Sequence, residues 1–264
     1  MNIQLSVIIV NYNGMRFLDA CFNSLYDKLS TLSYEIIVLD NHSTDESCAY
    51  IKMNHPTVRL IESNINYGFG RGNNEAVKHA KGETILLFNN DTILLDSIDE
   101  LILKLDQDPS AGVIGIQMLD KNQRYLFSNG NFPNFYSMLR FKNMLVINSD
   151  LSNGNFTKNE YEVDWISGSF MLMKKRVYKE VKGFDEDYFM YVEDVDFCKK
   201  IQKIGLKRIF LPNYRYIHFV GFNTSKNHLI VKGYRTFIKK HSSGLSKILL
   251  TTAILLKSVI SKRK

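Results

Sequence analysis

The feature that most constrains this chain is a repeated unit: an uninterrupted apolar run of strand length, a polar cluster, then a segment with helical periodicity. Residues 5–10 (LSVIIV), 35–39 (EIIVL), 58–61, 84–88 (TILLF) and 113–118 are the runs. Between them, residues 15–29, 44–53, 72–80 and 96–107 carry the 3.6-residue pattern of helices. A strand that is apolar on both faces has to be covered on both. Helices joining consecutive strands do this around a parallel sheet. The expected fold is α/β, with a mostly parallel Rossmann-like central sheet flanked by helices. A hydrophobic share of 45% in 264 residues is enough for one large core and excludes a disordered chain.

Periodicity dissolves over 121–159 into Asn, Ser, Phe and Tyr, which is expected to be a functional loop region. Order returns with a strand at 169–173 and a helix over 192–204 that Gly205 ends. Two short strands (208–211 and 215–219) come next, then helical sequence to the end.

The net charge of +7 conceals a division. The last acid is Asp196, and residues 197–264 hold 16 Lys/Arg, whereas residues 1–196 carry 18 basic and 27 acidic side chains. No nucleic-acid motif accompanies the basic part. Near its end Leu245, Ile248, Leu249, Leu255, Leu256, Val259 and Ile260 project to one helical face, with Lys247, Lys257 and Ser261 opposite. Leu250 and Ile254 interrupt that polar side. Two readings stand: a helix docked on the protein's own core, or an interfacial helix on anionic lipid ending in Lys262-Arg263-Lys264. The longest apolar stretch is far below the roughly 20 residues of a membrane span. Cys21, Cys48 and Cys198 are odd in number and form no CxxC, which argues against a disulfide framework or a thiolate zinc site and suits a reducing cytosol.

In parallel α/β sheets, ligands bind beyond the carboxyl ends of the strands. Three such ends carry polar clusters: Asn11-Tyr12-Asn13-Gly14, Asp40-Asn41-His42-Ser43 and Asn89-Asn90-Asp91-Thr92. Each alone reads as a helix cap or turn; three on one edge point to a ligand. Asp40 suits an acceptor for a nucleobase or ribose, and Asp91 a hard divalent cation on a diphosphate. The glycine-rich stretch at 66–74 (NYGFGRGNN) precedes a helix and fits close backbone approach to an anion, but it is neither GxGxxG nor a Walker loop. Farther on, Glu193 and Asp194 sit among apolar and aromatic residues, a setting for a general base or simply an acidic helix start. His218 ends a strand, as a metal ligand or a structural histidine.

The order of these pieces resembles family 2 glycosyltransferases of the GT-A fold, and within them the bacterial rhamnosyltransferase-like branch. The matching segments are 6–14 (SVIIVNYNG), 36–47 (IIVLDNHSTDES), 64–83, 85–94 (ILLFNNDTIL), 165–175 (WISGSFMLMKK), 183–200 (GFDEDYFMYVEDVDFCKK) and 218–226 (HFVGFNTSK). The resemblance implies donor-nucleotide contacts at Asn11, Asn13, Asp40, Asn74 and Asn90. It places Trp165, Ser167, Gly168, Ser169 and Glu193 along the donor-sugar and acceptor pocket. Asp194 matches the catalytic base, and Asp91 and His218 the ligands of Mg²⁺ or Mn²⁺. One departure stands out: the DxD motif reads Asn89-Asn90-Asp91, so its first acid is an amide.

The resemblance implies an inverting, metal-dependent hexosyltransferase in cell-surface polysaccharide synthesis (O-antigen or capsule). It would move a sugar from a nucleotide donor, first dTDP-L-rhamnose and otherwise a UDP-hexose or UDP-galactofuranose, to a saccharide or lipid-linked saccharide. The expected domain is 1–226, with nucleotide-sugar binding over about 1–118 and the acceptor and catalytic part over about 119–226; 227–264 is a basic helical extension. The expected location is cytoplasmic, peripheral on the inner membrane. A sugar nucleotidyltransferase and a non-catalytic nucleotide-sugar-binding protein are the competing readings.

Overall fold

The structure is a computed structural model that describes residues 3–139, 149–219 and 227–261. Its first half alternates as the apolar runs require: β1 (Leu5–Asn11), α1 (Met15–Lys28), β2 (Tyr34–Asp40), α2 (Ser47–Asn54), β3 (Arg59–Glu62), α3 (Phe69–Val77), β4 (Thr84–Phe88), β5 (Thr92–Leu94), α4 (Asp99–Gln107) and β6 (Ala111–Leu119). Every residue of β4 is buried, as are Leu5, Val7, Ile8 and Ile9 of β1, because helices lie on both faces. The region over 121–159 is not one loop. It contains β7 (Tyr125–Leu126), β8 (Asn129–Gly130), α5 (Phe135–Leu139) and α6 (Ser149–Asn153), each too short to give a periodic signal.

The chain continues through β9 (Tyr161–Glu162), β10 (Trp165–Ile166), β11 (Phe170–Lys174), α7 (Lys175–Glu180), α8 (Glu193–Lys203), β12 (Lys207–His218), α9 (Asn227–His241) and α10 (Gly244–Ser261). The two strands expected at 208–211 and 215–219 are one: β12 runs beside β6 throughout, with a register shift between Leu211 and Arg215 that absorbs Pro212.

The strand order is β3-β2-β1-β4-β11-β6-β12-β5. Strands β1 to β4 run parallel, and β6 and β12 run parallel to each other. β11 is antiparallel to both of its neighbours, β4 and β6. β5 closes the far edge antiparallel to β12, pairing Thr92 with His218. Because β4 and β12 both deliver their ends to this corner, the Asn89–Thr92 turn and His218 meet there.

Two cores flank the sheet. One packs α1, α2 and α4 against it through residues such as Phe22, Ile51 and Leu105. The other gathers α3, α8, α9 and α10, and includes Trp165, Phe184, Val192, Phe237 and Ile254. The C-terminal helices thus share the core that supports α8. In α10, Leu250, Ala253 and Ile254 are buried, whereas Leu245, Ile248, Leu249, Leu255 and Leu256 are 40–71% exposed. The two residues that interrupt the polar side of the helix are the ones docked on protein. Residues 220–226 of the expected motif and the basic end Lys262-Arg263-Lys264 lie outside the described residues, as do the side chains of Lys257, Val259, Ile260 and Ser261.

Candidate active site

The edge begins with a buried amide and carboxylate. Asn11 and Asp40 are register partners at the ends of β1 and β2. Asn11 donates through Nδ2 to Asp40 Oδ2 at 2.8 Å, and the Ser43 backbone N–H donates to Asp40 Oδ1 at 2.8 Å. Asn90, in the turn after β4, donates to Asn11 Oδ1 at 2.6 Å. Asp40, Asn11 and Asn90 are therefore one chain of hydrogen bonds across three strand ends, and removing any member leaves a buried polar group unpaired. Asn13, with left-handed backbone (φ 50°), accepts from the Thr44 N–H at 2.8 Å and ties the first loop to the second. Between Asn11 and Asn13, Tyr12 is 52% exposed and presents a ring at the mouth of this edge. Sequence reasoning passes over it, although a large aromatic left outside at a strand end is the available signal.

Asn74 sits differently from the other donor-side residues. Its Oδ1 accepts from the Phe184 N–H (2.8 Å) and from Tyr178 Oη (2.7 Å), and its Nδ2 donates to the Phe184 carbonyl (2.9 Å). The amide is spent on joining α3 to the turn that precedes α8, so it braces the glycine-rich segment from behind.

At the corner of β4, β5 and β12, His218 Nε2 stands 3.1 Å from Asp91 Oδ1. The Phe219 N–H donates to the Asp91 carbonyl at 3.0 Å, which holds the two backbones together. Neighbouring ligands of an ion with bonds of about 2.0–2.1 Å stand about 3 Å apart, so this spacing fits two adjacent positions around Mg²⁺ or Mn²⁺. Among the described residues no group of three or more metal-binding side chains occurs. Two such ligands would fit a cation that takes its remaining positions from phosphate oxygens and water, as Mg²⁺ commonly does. Asn89, at the position of the missing first acid, places Nδ2 3.5 Å from His218 Nε2.

The carboxylate pair lies where α8 starts. Tyr191 and Val192 both adopt left-handed backbone (φ 70° and 73°), and a β-branched residue there costs on the order of 1–3 kcal/mol. This turn swings Glu193 and Asp194 toward the sheet. Asp194 is partly accessible, with Oδ2 accepting from the Gly168 N–H at 3.1 Å and Oδ1 from the Val195 N–H at 2.9 Å. Burial holds its carboxyl above the ordinary aspartate range, and the two N–H donors pull it partly back. Glu193 is buried, and its Oε2 has no hydrogen-bond partner. Burial, then the charges of Asp194 and Asp196, push Glu193 well above the usual glutamate range.

Gly168 is the hinge of the arrangement. A Cβ there would come within 2.7 Å of the Phe69 ring, so a larger residue would displace that ring from the backbone that also holds Asp194. Ser167 and Ser169 share a hydrogen bond (3.0 Å), and Ser169 Oγ meets Tyr216 Oη at 2.6 Å. Sequence reasoning does not single out Tyr216, yet it stands two residues before His218 and so shares its face of β12. Trp165 is buried in the core beneath this region, donating to the Asn131 carbonyl at 3.1 Å. The strand-end clusters, the Asp91–His218 corner and a partly accessible carboxylate with raised pKa are a set with the chemistry to hold a nucleoside diphosphate and take a proton.

Comparison with known proteins accords with this chemistry. The model of the family described as "Glycosyl transferase family 2" matches residues 6–182. N-acetylglucosaminyl-diphospho-decaprenol L-rhamnosyltransferase of Mycobacterium tuberculosis (strain ATCC 25618 / H37Rv) is 26% identical over 259 residues, covering 89% of this chain and 83% of that protein. Rhamnosyltransferase WbbL of Escherichia coli (strain K12) is 30% identical over 201 residues, covering 70% and 73%. Among solved structures, GalNAc-T7 with UDP, GalNAc and Mn²⁺ superposes with a TM-score of 0.68 at 16% identity, covering 88% of this chain and 47% of that one. S. aureus TarS 1-349 in complex with UDP gives 0.60 at 18% identity, covering 97% and 70%. These structural likenesses establish a glycosyltransferase GT-A architecture. With the family match running through the strand-end clusters, the glycine-rich segment and Gly168, this chain is an enzyme that belongs to glycosyl transferase family 2.

Proposed function

We propose that this enzyme transfers a rhamnosyl unit from dTDP-L-rhamnose, with inversion, to a hydroxyl of a lipid-linked saccharide in cell-surface polysaccharide synthesis. The relatives' names support the donor and acceptor classes, since both are rhamnosyltransferases and one is named for a polyprenyl-diphosphate-linked sugar. The observation that carries the mechanism is Asp194, a partly accessible carboxylate held at the start of α8 by the Gly168 and Val195 N–H groups.

The nucleoside would lie over Asn11, Asn13 and Asp40, whose bonds to Asn90 and Ser43 pre-organise that edge. Asp91 and His218 would hold Mg²⁺ or Mn²⁺, which supplies charge neutralisation to the departing diphosphate. Asp194 takes the proton of the acceptor hydroxyl as its oxygen bonds to the anomeric carbon. The bond from that carbon to the phosphate oxygen breaks, and its electron pair leaves with the nucleoside diphosphate. Ser167, Ser169 and Glu193 line the space between donor sugar and acceptor. One base and no covalent nucleophile give inversion.

The exposed apolar face of α10 supports a place on a membrane. It carries five large aliphatic residues beside exposed Lys247, in a chain segment with no acid after Asp196. We assign it to the surface of anionic lipid, which would hold the site beside a lipid-linked acceptor.

Purified enzyme offered a panel of nucleotide sugars with Mg²⁺ or Mn²⁺ is expected to hydrolyse or transfer from dTDP-rhamnose in preference to UDP-hexoses. Asp194→Asn should lose about 10²–10⁴-fold in turnover while still binding dTDP. Preference for a UDP donor would move the assignment to a UDP-hexosyltransferase, and near-normal turnover of Asp194→Asn would remove the base.

A further inference from the structure

The strained turn before Glu193 is held from one side by the glycine-rich segment, through the Phe69 N–H and the Phe189 carbonyl (3.1 Å). From the other side it is held by a helix that lies outside every motif of the site. Gly233 of α9 sits against the turn so closely that a Cβ there would come 2.6 Å from the Tyr191 carbonyl and 2.8 Å from Val192 Cγ2. Farther along α9, Lys240 bridges Asp185 and Asp187, the latter at 2.6 Å, and its ammonium lies 5.9 Å from the Tyr188 ring centroid. The next residue, His241, is nearly buried and places Nε2 2.6 Å from Asp196 Oδ1. Tyr188 Oη donates to that same oxygen at 3.1 Å. Lys203 Nζ meets His241 Nδ1 at 2.9 Å. Tyr234, also on α9, is buried within reach of the charge on Asp194.

These contacts flank the left-handed pair: Asp185, Asp187 and Tyr188 before it, Asp196 after it, Gly233 against it. A helix needed only to cover the core would use the apolar contacts of Phe237 and Ile238, which α9 also makes. The polar contacts converge instead on the segment around two consecutive left-handed residues, Tyr191 and Val192, which leads directly into Glu193 and Asp194. We propose that α9 is a positioning element for the catalytic carboxylate turn, acting through Gly233, Lys240 and His241. The proposal rests on Asp194 as the base. Because α10 packs on α9, it also makes the outward-facing C-terminal helix continuous with the mechanism.

The test uses the full chain with His241→Leu, His241→Gln, Lys240→Met and Gly233→Ala. Leu105→Ala, in the core on the other face of the sheet, serves as a stability control. His241→Leu and Gly233→Ala are expected to lower kcat by about 10–100-fold, the cost of misplacing a catalytic group. Affinity for dTDP with Mg²⁺ should stay within about twofold, because the donor edge is untouched. Lys240→Met should fall between wild type and these variants. His241→Gln, which keeps a donor near the Nε2 position, should recover most of the rate. Amide exchange over 187–196 should quicken in His241→Leu while β1 and β4 stay protected. Leu105→Ala should lower Tm without these effects. Unchanged kcat and unchanged exchange over 187–196, a loss merely in proportion to Tm as in Leu105→Ala, or a Gln variant no better than Leu would overturn the proposal. Absence of transfer by the wild type would sink the assigned reaction instead, and the exchange measurement would still decide whether α9 holds the turn.

Discussion

Glu193 and Asp194 are adjacent carboxyls whose hydrogen bonds divide their tasks. Asp194 accepts two backbone N–H groups and is partly accessible, whereas Glu193 is buried with an unpartnered oxygen and is raised further. The two N–H donors favour placing the pair's negative charge on Asp194, and burial without a partner disfavours it on Glu193. Glu193→Gln, which copies the protonated form, should keep turnover within about tenfold of wild type, far above Asp194→Asn. The acid limb of kcat against pH should lie above the ordinary aspartate pKa of about 3.9, because the base must lose its proton from a raised level. The linkage to stability has the opposite sense. A carboxyl raised on folding stabilises most where it is protonated in both states, and that contribution is lost as pH rises through the folded value. Wild type should therefore lose stability as pH rises from about 4 through the raised Asp194 value, a slope that Asp194→Asn lacks, while its amide leaves one of the two N–H donors without an acceptor and so costs stability at every pH. Calorimetry across that range checks it. At this scale the placement of the strand-end acids is legible, because each closes an apolar run whose end can be read from the pattern. Asn74 is less so: whether an amide faces a donor or the Phe184 backbone depends on a turn some 110 residues away.

Elements of ordinary length are legible, and short or strained ones are not. Apolar runs announce β1, β2, β4 and β6, but β5 has three residues and is defined by its partner β12 rather than by its own pattern. The α8 start can be read only loosely, since nothing in the sequence shows that Val192 takes a left-handed conformation. In the C-terminal helix, Leu250 and Ile254 look like interruptions of an amphipathic pattern; in the fold they form a second apolar face. This separation makes α10 testable face by face. Replacing Leu245, Ile248 and Leu256 together by Glu should abolish co-sedimentation with vesicles containing phosphatidylglycerol while leaving Tm within a few degrees, since those side chains are exposed. Ile254→Ala should instead cost about 2–5 kcal/mol of stability and leave vesicle binding of the folded protein intact. Equal vesicle binding by the triple variant would return the outer face to bulk solvent.

The whole molecule is knit across the point where the sequence invites a division. The proposed donor edge comes from β1, β2 and β4, but β11 lies between β4 and β6, and α8 carries the proposed base. Residues 1–118 expressed alone are therefore expected to show no cooperative melting transition, because β4 and β6 would each expose an unpaired edge; a sharp transition would mean the donor half folds independently. The charge division of the sequence likewise acquires a geometry: acids fill the site up to Asp196, and the basic segment returns through Lys240 and His241 to meet them. The position of β11 also has a consequence for how the protein is made. A ribosome releases both flanking strands well before the strand that separates them, so a nascent chain must hold a gap open, or reopen it, until about residue 174 has emerged. Translation pauses or premature termination between β6 and β11 would leave a chain with two sticky edges and no base, making this stretch the window in which the protein most needs a chaperone.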